Sequence, residues 1–130
     1  MTKEEQSNSF HSLLSSFTGI EQYFYNPLFK KINYTEGVRY FMQNAGGGAY
    51  WFLTLVATEI IPKLENEFYF IELTVNKDKT ANIIVQLDKG EPILYEKNLE
   101  YTDCPPSDEP YKFCLDYGRE LTILCLLSEY

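Results

Sequence analysis

A chain of 130 residues, 45% hydrophobic and 16% aromatic, has the length of one domain and enough apolar material to bury about two-thirds of its unfolded surface, which excludes global disorder. Its 11 Lys and Arg against 19 Asp and Glu give a net charge of −8, and the sole basic doublet is Lys30-Lys31, so capture of nucleic-acid phosphates or of an anionic membrane surface is disfavoured. Residues 1–64 hold 5 residues of each sign while residues 65–130 hold 6 basic and 14 acidic ones, so the whole excess lies in the second half.

Residues 1–8 read as a polar, disordered N-terminus, with Asn8 or Ser9 capping a short helix to about Phe17 whose Phe10, Leu13, Leu14 and Phe17 follow helical spacing. Thr18-Gly19-Ile20-Glu21 has the form of a capping box, predicting a second short helix to about Tyr25 that Asn26-Pro27 would stop. Leu28 to Asn33 is either a short strand or an extended connector. Thr35 is a plausible N-cap for a helix through about Gln43, with Val38, Phe41, Met42 and Ala45 on one stripe. Gly46-Gly47-Gly48 ends it as a turn. Ala49 to about Leu64 is apolar nearly all round and reads as a central buried helix that Pro62 should kink or end early.

From Glu67 the period becomes alternating. Tyr69, Ile71, Leu73 and Val75 face one way in a strand from Phe68 to Val75, with Glu72 and Thr74 facing the other. Asn76 to Lys79 is a hairpin turn, and Ile83, Val85 and Leu87 repeat the pattern from Asn82 to Leu87. Asp88-Lys89-Gly90 leads to a third strand from about Ile93 to Tyr101. A proline-containing loop from Thr102 to Pro110 precedes a fourth strand near Tyr111 to Tyr117 and a fifth near Leu121 to Leu127. Helices first and strands afterwards predict an α+β fold, with N-terminal helices (9–64) packed on a C-terminal antiparallel β-meander (67–127) of about four to five strands, in a single domain over 1–130.

The chemistry-bearing residues are sparse. Cys104, Cys114 and Cys125 lack metal-ligand or Cys-x-x-Cys spacing, so each reads as a small buried hydrophobe in a strand rather than as part of a disulfide scaffold or a zinc site. The glycine run has neither a preceding apolar strand nor a following Lys-Ser/Thr, which argues against a phosphate cradle. His11, the single histidine, shares a short helix with Ser12, Ser15 and Ser16 but has no third group to orient it as a base. No cofactor or metal is expected. The longest apolar run, AYWFLTLVA from Ala49 to Ala57, falls short of the roughly 18–20 residues a membrane span needs. The opening MTKEEQSNSF lacks a basic start and an apolar stretch, so a cytoplasmic location is expected.

Acidity combined with aromatic residues on strands is the more informative pattern. Glu72, Glu96 and Glu100 occupy positions predicted to point away from the core, and the following loop adds Asp103, Asp108 and Glu109. Acidic faces complement basic, nucleic-acid-binding protein surfaces, and exposed aromatics are over-represented in interfaces. The plainer reading is that the acids only keep an aromatic-rich domain dispersed.

The stretches Phe17-Thr18-Gly19-Ile20-Glu21-Gln22-Tyr23, Tyr34-Thr35-Glu36-Gly37-Val38-Arg39-Tyr40, Ala49-Tyr50-Trp51, Tyr101-Thr102-Asp103 and Leu127-Ser128-Glu129-Tyr130 together resemble the ordered signature of a family of small uncharacterised proteins, a domain of unknown function found in bacteria, phages and plasmids. The resemblance spans about Phe17 to Tyr130. It departs from the family in a longer glycine run before Ala49 and in Leu-Leu before Ser128 where Leu-Pro is usual. It implies a mobile-element setting, in which small acidic proteins often bind host machinery.

The sequence therefore favours a small acidic, non-enzymatic binding protein of phage or plasmid type that docks on a basic host protein or nucleoprotein, an inhibitor of a CRISPR effector (anti-CRISPR) being one such class. Glu96, Glu100, Asp103, Asp108 and Glu109 would carry the charge, with Tyr95 and Tyr101 as aromatic anchors. The alternatives are a small enzyme using an Asp or Glu with Tyr34, Arg39 and Tyr50 near the helix junction, and an oligomerising structural module.

Overall fold

The structure is a computed structural model and describes residues 3–19, 22–26, 32–63, 68–88, 90–116 and 122–130. Helix α1 (Lys3–Ser15) buries Phe10 and Leu14, the pair that helical spacing selects, and leaves Leu13 exposed. It starts well before Asn8 or Ser9, so neither residue is its cap and residues 3–8 are helical rather than disordered. Glu, Gln and Lys are strong helix formers, and this intrinsic preference carries the helix over a segment without apolar residues.

The second predicted helix is replaced. Of its proposed capping pair, Thr18 is in irregular chain and Glu21 lies outside the described residues, and where its C-terminal end was expected there is strand β1 (Tyr23–Tyr25). A Tyr-Phe-Tyr triplet suits a pleated surface, and β1 pairs antiparallel with β2 (Ile32–Thr35). Leu28 to Lys31 also lie outside the described residues, while Ile32 and Asn33 are strand.

Helix α2 (Glu36–Asn44) begins at Thr35, whose hydroxyl accepts from the Val38 N–H, as its sequence position suggested. Gly46, at φ 61°, makes the left-handed turn that follows, and α3 (Tyr50–Leu55) starts after it. The chain then widens into a π turn (Val56–Ile60) and tightens into a 3-10 turn (Ile61–Lys63). Pro62 offers no N–H to the Thr58 carbonyl four residues back, so α-helical bonding cannot resume past the π turn.

Strands β3 (Phe68–Val75), β4 (Ala81–Gln86), β5 (Tyr95–Leu99), β6 (Tyr111–Asp116) and β7 (Thr122–Leu126) complete a seven-stranded sheet of order β1-β2-β7-β6-β3-β4-β5. The fold is α+β. Two details correct the expectation of a four- to five-stranded antiparallel meander: the helical half contributes β1 and β2, and β2 runs parallel to β7. Only β3-β4-β5 is a meander, because β6 returns to pair with β3. The physical reason is edge closure: pairing β6 and then β7 beside β3 puts the most apolar strands in the middle of the sheet.

The alternating residues Tyr69, Ile71, Leu73 and Val75, with Ala81, Ile83 and Val85, form the buried face. Phe113 lies 5.1 Å from Phe41 of α2 and 4.5 Å from Phe52 of α3, ring centre to ring centre, so helices and sheet share one aromatic core. Leu87 falls just beyond β4 and is exposed, contrary to its place in the predicted alternation.

A polar lock closes one corner of this core. Glu129, only 4% exposed, accepts hydrogen bonds from the Thr35 hydroxyl at 2.5 Å, the Gly37 N–H at 3.0 Å and the Leu126 N–H at 3.0 Å. Its carboxylate thus meets the N-terminal end of α2, where orphan N–H groups and the helix dipole favour negative charge. A Cβ on Gly37 would come within 2.6 Å of that carboxylate and 2.5 Å of Leu126 Cδ1, so a larger residue here would push both side chains aside.

Candidate protein-docking site

Strand β5 lies at the edge of the sheet, and its alternation divides its side chains between two surfaces. Tyr95, Lys97 and Leu99 turn toward the helices and are half-buried, whereas Glu96 and Asn98 are exposed on the opposite face. There Glu96 and Asn98 accept hydrogen bonds from the Asn82 amide at 2.9 and 2.8 Å. Glu100 is exposed immediately beyond the strand, and Tyr101, 71% exposed, is among the most accessible aromatic residues of the chain.

On the helix side a groove of about 600 Å³ runs between β5 and the α3–π segment. One wall carries Trp51, Thr54, Leu55, Thr58 and Glu59; the other carries Lys97, Leu99 and Tyr101, with Asp103 at its end. The Lys97 ammonium lies 2.9 Å from both Glu59 carboxylate oxygens, and the Tyr95 hydroxyl donates to Glu59 at 3.1 Å. Burial, aided by the Glu59 carboxylate, pushes the Tyr95 phenol up to about 12, so it remains a donor throughout the physiological range.

The seven residues singled out from the sequence do not form one continuous face. Tyr95, Tyr101 and Asp103 belong to the groove side, Glu96 lies across the strand from them, and Glu100 joins the two at the strand's end. Asp108 and Glu109 line a separate polar cleft of about 650 Å³ with His11, Asn76 and Lys77. Asp103 also has local work, since its carboxylate accepts from the Gly47 N–H at 2.6 Å. A Cβ on Gly46 would lie 2.2 Å from the Asp103 carbonyl oxygen, so the glycine run serves this contact as well as the turn.

Trp51, Thr54, Thr58, Glu59 and Lys97 were missed by sequence reasoning. The signal was present: 51, 54, 55, 58 and 59 share one helical face, and three polar members interrupt an otherwise apolar helix. Read as one buried helix, the segment hid that stripe.

The thiols and the remaining polar groups lie outside the β5 groove. All three cysteines are buried thiols, with Cys114 opposite Cys125 across β6 and β7, whereas Cys104 sits in the loop before β6 rather than in a strand. Burial pushes the Cys104 thiol up to about 12, which leaves it almost wholly protonated at neutral pH. Tyr111 donates to the Pro105 carbonyl at 2.5 Å and lies 2.7 Å from His11 Nε2. With the hydroxyl proton committed to the carbonyl, the ring nitrogen is the donor. Tyr34 is buried on β2, and burial followed by Tyr50 raises its phenol while Arg39 opposes them, so these three groups are electrostatic neighbours. The cleft that holds Arg39 is lined by Phe17, Phe24, Glu36 and Tyr40, and neither Tyr34 nor Tyr50 lines it. Arg39 lies 4.4 Å over the Phe24 ring there.

Among the described residues no helix is long and apolar enough to cross a membrane, and no group of three or more His, Cys, Asp or Glu is placed to hold a metal ion. Neither curated proteins nor solved structures provide a match to the chain. Residues 8–130 match a family described as a family of unknown function, DUF6876. That match covers nearly the whole chain, the sheet, the glycine turn and the Glu129 lock included, and the protein belongs to this family.

Proposed function

We propose that this protein is a non-enzymatic binding module that docks a basic partner protein through the β5 flank. The observation that carries the reading is the composition of that flank. β5, its continuation to Asp103 and the groove walls together carry four acids, Glu59, Glu96, Glu100 and Asp103, against the one cation Lys97, with the exposed ring of Tyr101 beside them. Charge of one sign next to an exposed aromatic residue suits a partner rich in Lys and Arg, by steering encounter and then by burying the ring.

The partner class we favour is a nucleic-acid-binding host protein or nucleoprotein in the cytoplasm, with a phage or plasmid setting and inhibition of a CRISPR effector as its most specific form. An acidic edge competes for a surface built to hold phosphates. The test compares wild type with E96K/E100K in affinity capture from a bacterial host, followed by measurement of Kd against salt for the captured protein. The double reversal should raise Kd at least about tenfold and flatten the salt dependence. D108K/E109K, in the other cleft, should do much less. Equal affinity of wild type and E96K/E100K removes the reading.

A further inference from the structure

We infer that the partner is held as an added β-strand: an extended segment alternating basic and apolar residues, paired along the outer edge of β5, the terminal strand of the sheet. The inference rests on the reading of a basic partner and specifies how that partner binds. Among the described residues the ladder partner of β5 is β4, and its other edge is terminal in the sheet. At the opposite end of the sheet β1 has 3 residues against the 5 of β5.

Natural edge strands are protected by proline, by charged side chains, by short length or by a covering element. Tyr95–Leu99 contains no proline, and its inward charge, Lys97, is neutralised by Glu59 at 2.9 Å, so Glu96 is the charge left on its outward face, a guard against neutral and acidic strands that a basic strand satisfies. Among the described residues, the helix beside it leaves a groove of about 600 Å³. Exposed apolar residues mark both ends of the strand: Ile93 and Leu94 before it, each 49% exposed, and Tyr101 after it.

The chemistry of the occupant follows from the pleat. A strand added to β5 lies about 4.8 Å from it and sends successive side chains to opposite faces. One set enters the groove against Trp51, Thr54 and Leu99, where apolar residues fit; the other meets the face of Glu96 and, at the strand's end, Glu100, where Arg or Lys fits. Main-chain hydrogen bonds along β5 supply affinity, and the two sets of side chains select the basic–apolar alternation.

The test uses the full chain and three synthetic peptides of about nine residues, a length that covers β5 with a margin at each end. One alternates Arg and Val, one alternates Glu and Val, and one is the Arg–Val peptide N-methylated at alternate positions to remove its pairing donors. Binding is followed by calorimetry and by amide hydrogen exchange. The Arg–Val peptide should bind and slow exchange across residues 95–99 by at least about tenfold, the Glu–Val peptide should not bind, and N-methylation should abolish the slowing. Arg–Val binding without slowed exchange in β5 overturns strand addition and leaves the basic-partner reading standing. Equal binding of the Glu–Val peptide overturns the basic-partner reading itself. Failure of the Arg–Val peptide to bind at millimolar concentration, or concentration-dependent protection of β5 without any peptide, also overturns the inference, the latter in favour of a second copy of the chain.

Discussion

Glu129 and Glu96 are the same amino acid in the same acidic half of the chain, and the fold uses them in opposite ways. Glu129 is enclosed at the corner of β2, α2 and the C-terminal turn, where three protein donors replace water. Glu96 stands in solvent at the sheet's edge, bonded to a neighbouring Asn amide. The contrast teaches that a carboxylate's meaning is set by its donors and its burial. The locked corner should govern stability, and the β5 flank should govern partner choice.

The sharpest way to break this comparison is Glu129→Ala, which strands the Thr35, Gly37 and Leu126 donors in a buried site. It should cost about 3 kcal/mol or more in urea unfolding, since each unsatisfied buried donor carries a penalty of about 1–3 kcal/mol. Glu129→Gln, which keeps an acceptor, should lose less, and equal losses would mean that the charge rather than the bonding matters. Gly37→Ala should follow at about 1–3 kcal/mol, because the new methyl would sit 2.5 Å from Leu126 Cδ1 and 2.6 Å from the Glu129 carboxylate.

His11 lies between the extremes, part-buried against Tyr111. Burial lowers its pKa from the usual 6.5. The folded state therefore binds the proton less readily than the unfolded chain does, so the stability is full above about pH 6.5 and declines as pH falls through the folded-state value. A melting-temperature series from pH 7.5 to about 5 should show this decline, and His11→Gln should flatten the His11 part of it.

The smallest effects on stability belong to the β5 flank. Lys97→Met removes an ion pair whose side chains are 37% and 40% exposed, and should cost no more than about 1 kcal/mol. E96K/E100K should leave the unfolding free energy within about 0.5 kcal/mol of wild type while weakening partner binding. A loss of stability comparable to that of Glu129→Ala would erase the distinction between the two regions.

The fold is legible along the chain where local pattern and tertiary environment agree. The period-two alternation of Tyr69, Ile71, Leu73 and Val75 announced β3 and its buried face, and Thr35 announced the start of α2. The reading failed at Tyr23–Tyr25, where three residues cannot reveal that β2 is available as a pairing partner, and at Lys3–Asn8, where a polar composition hid a good helix former.

The candidate site divides in the same manner. The acidity of the second half and the outward phase of Glu96 are properties of the sequence alone, because charge is a sum over residues and a strand's pleat fixes alternate directions. Glu129 looked like any C-terminal acid until the Thr35 hydroxyl and the Gly37 N–H were brought to it across more than ninety residues. Tertiary structure alone decided that β5 would be an edge, that Lys97 would be drawn to Glu59, and that Asp103 would brace the glycine turn. These outcomes depend on which strands compete for the centre of the sheet and which donors reach a carboxylate first, and such competition is settled only when the whole chain packs.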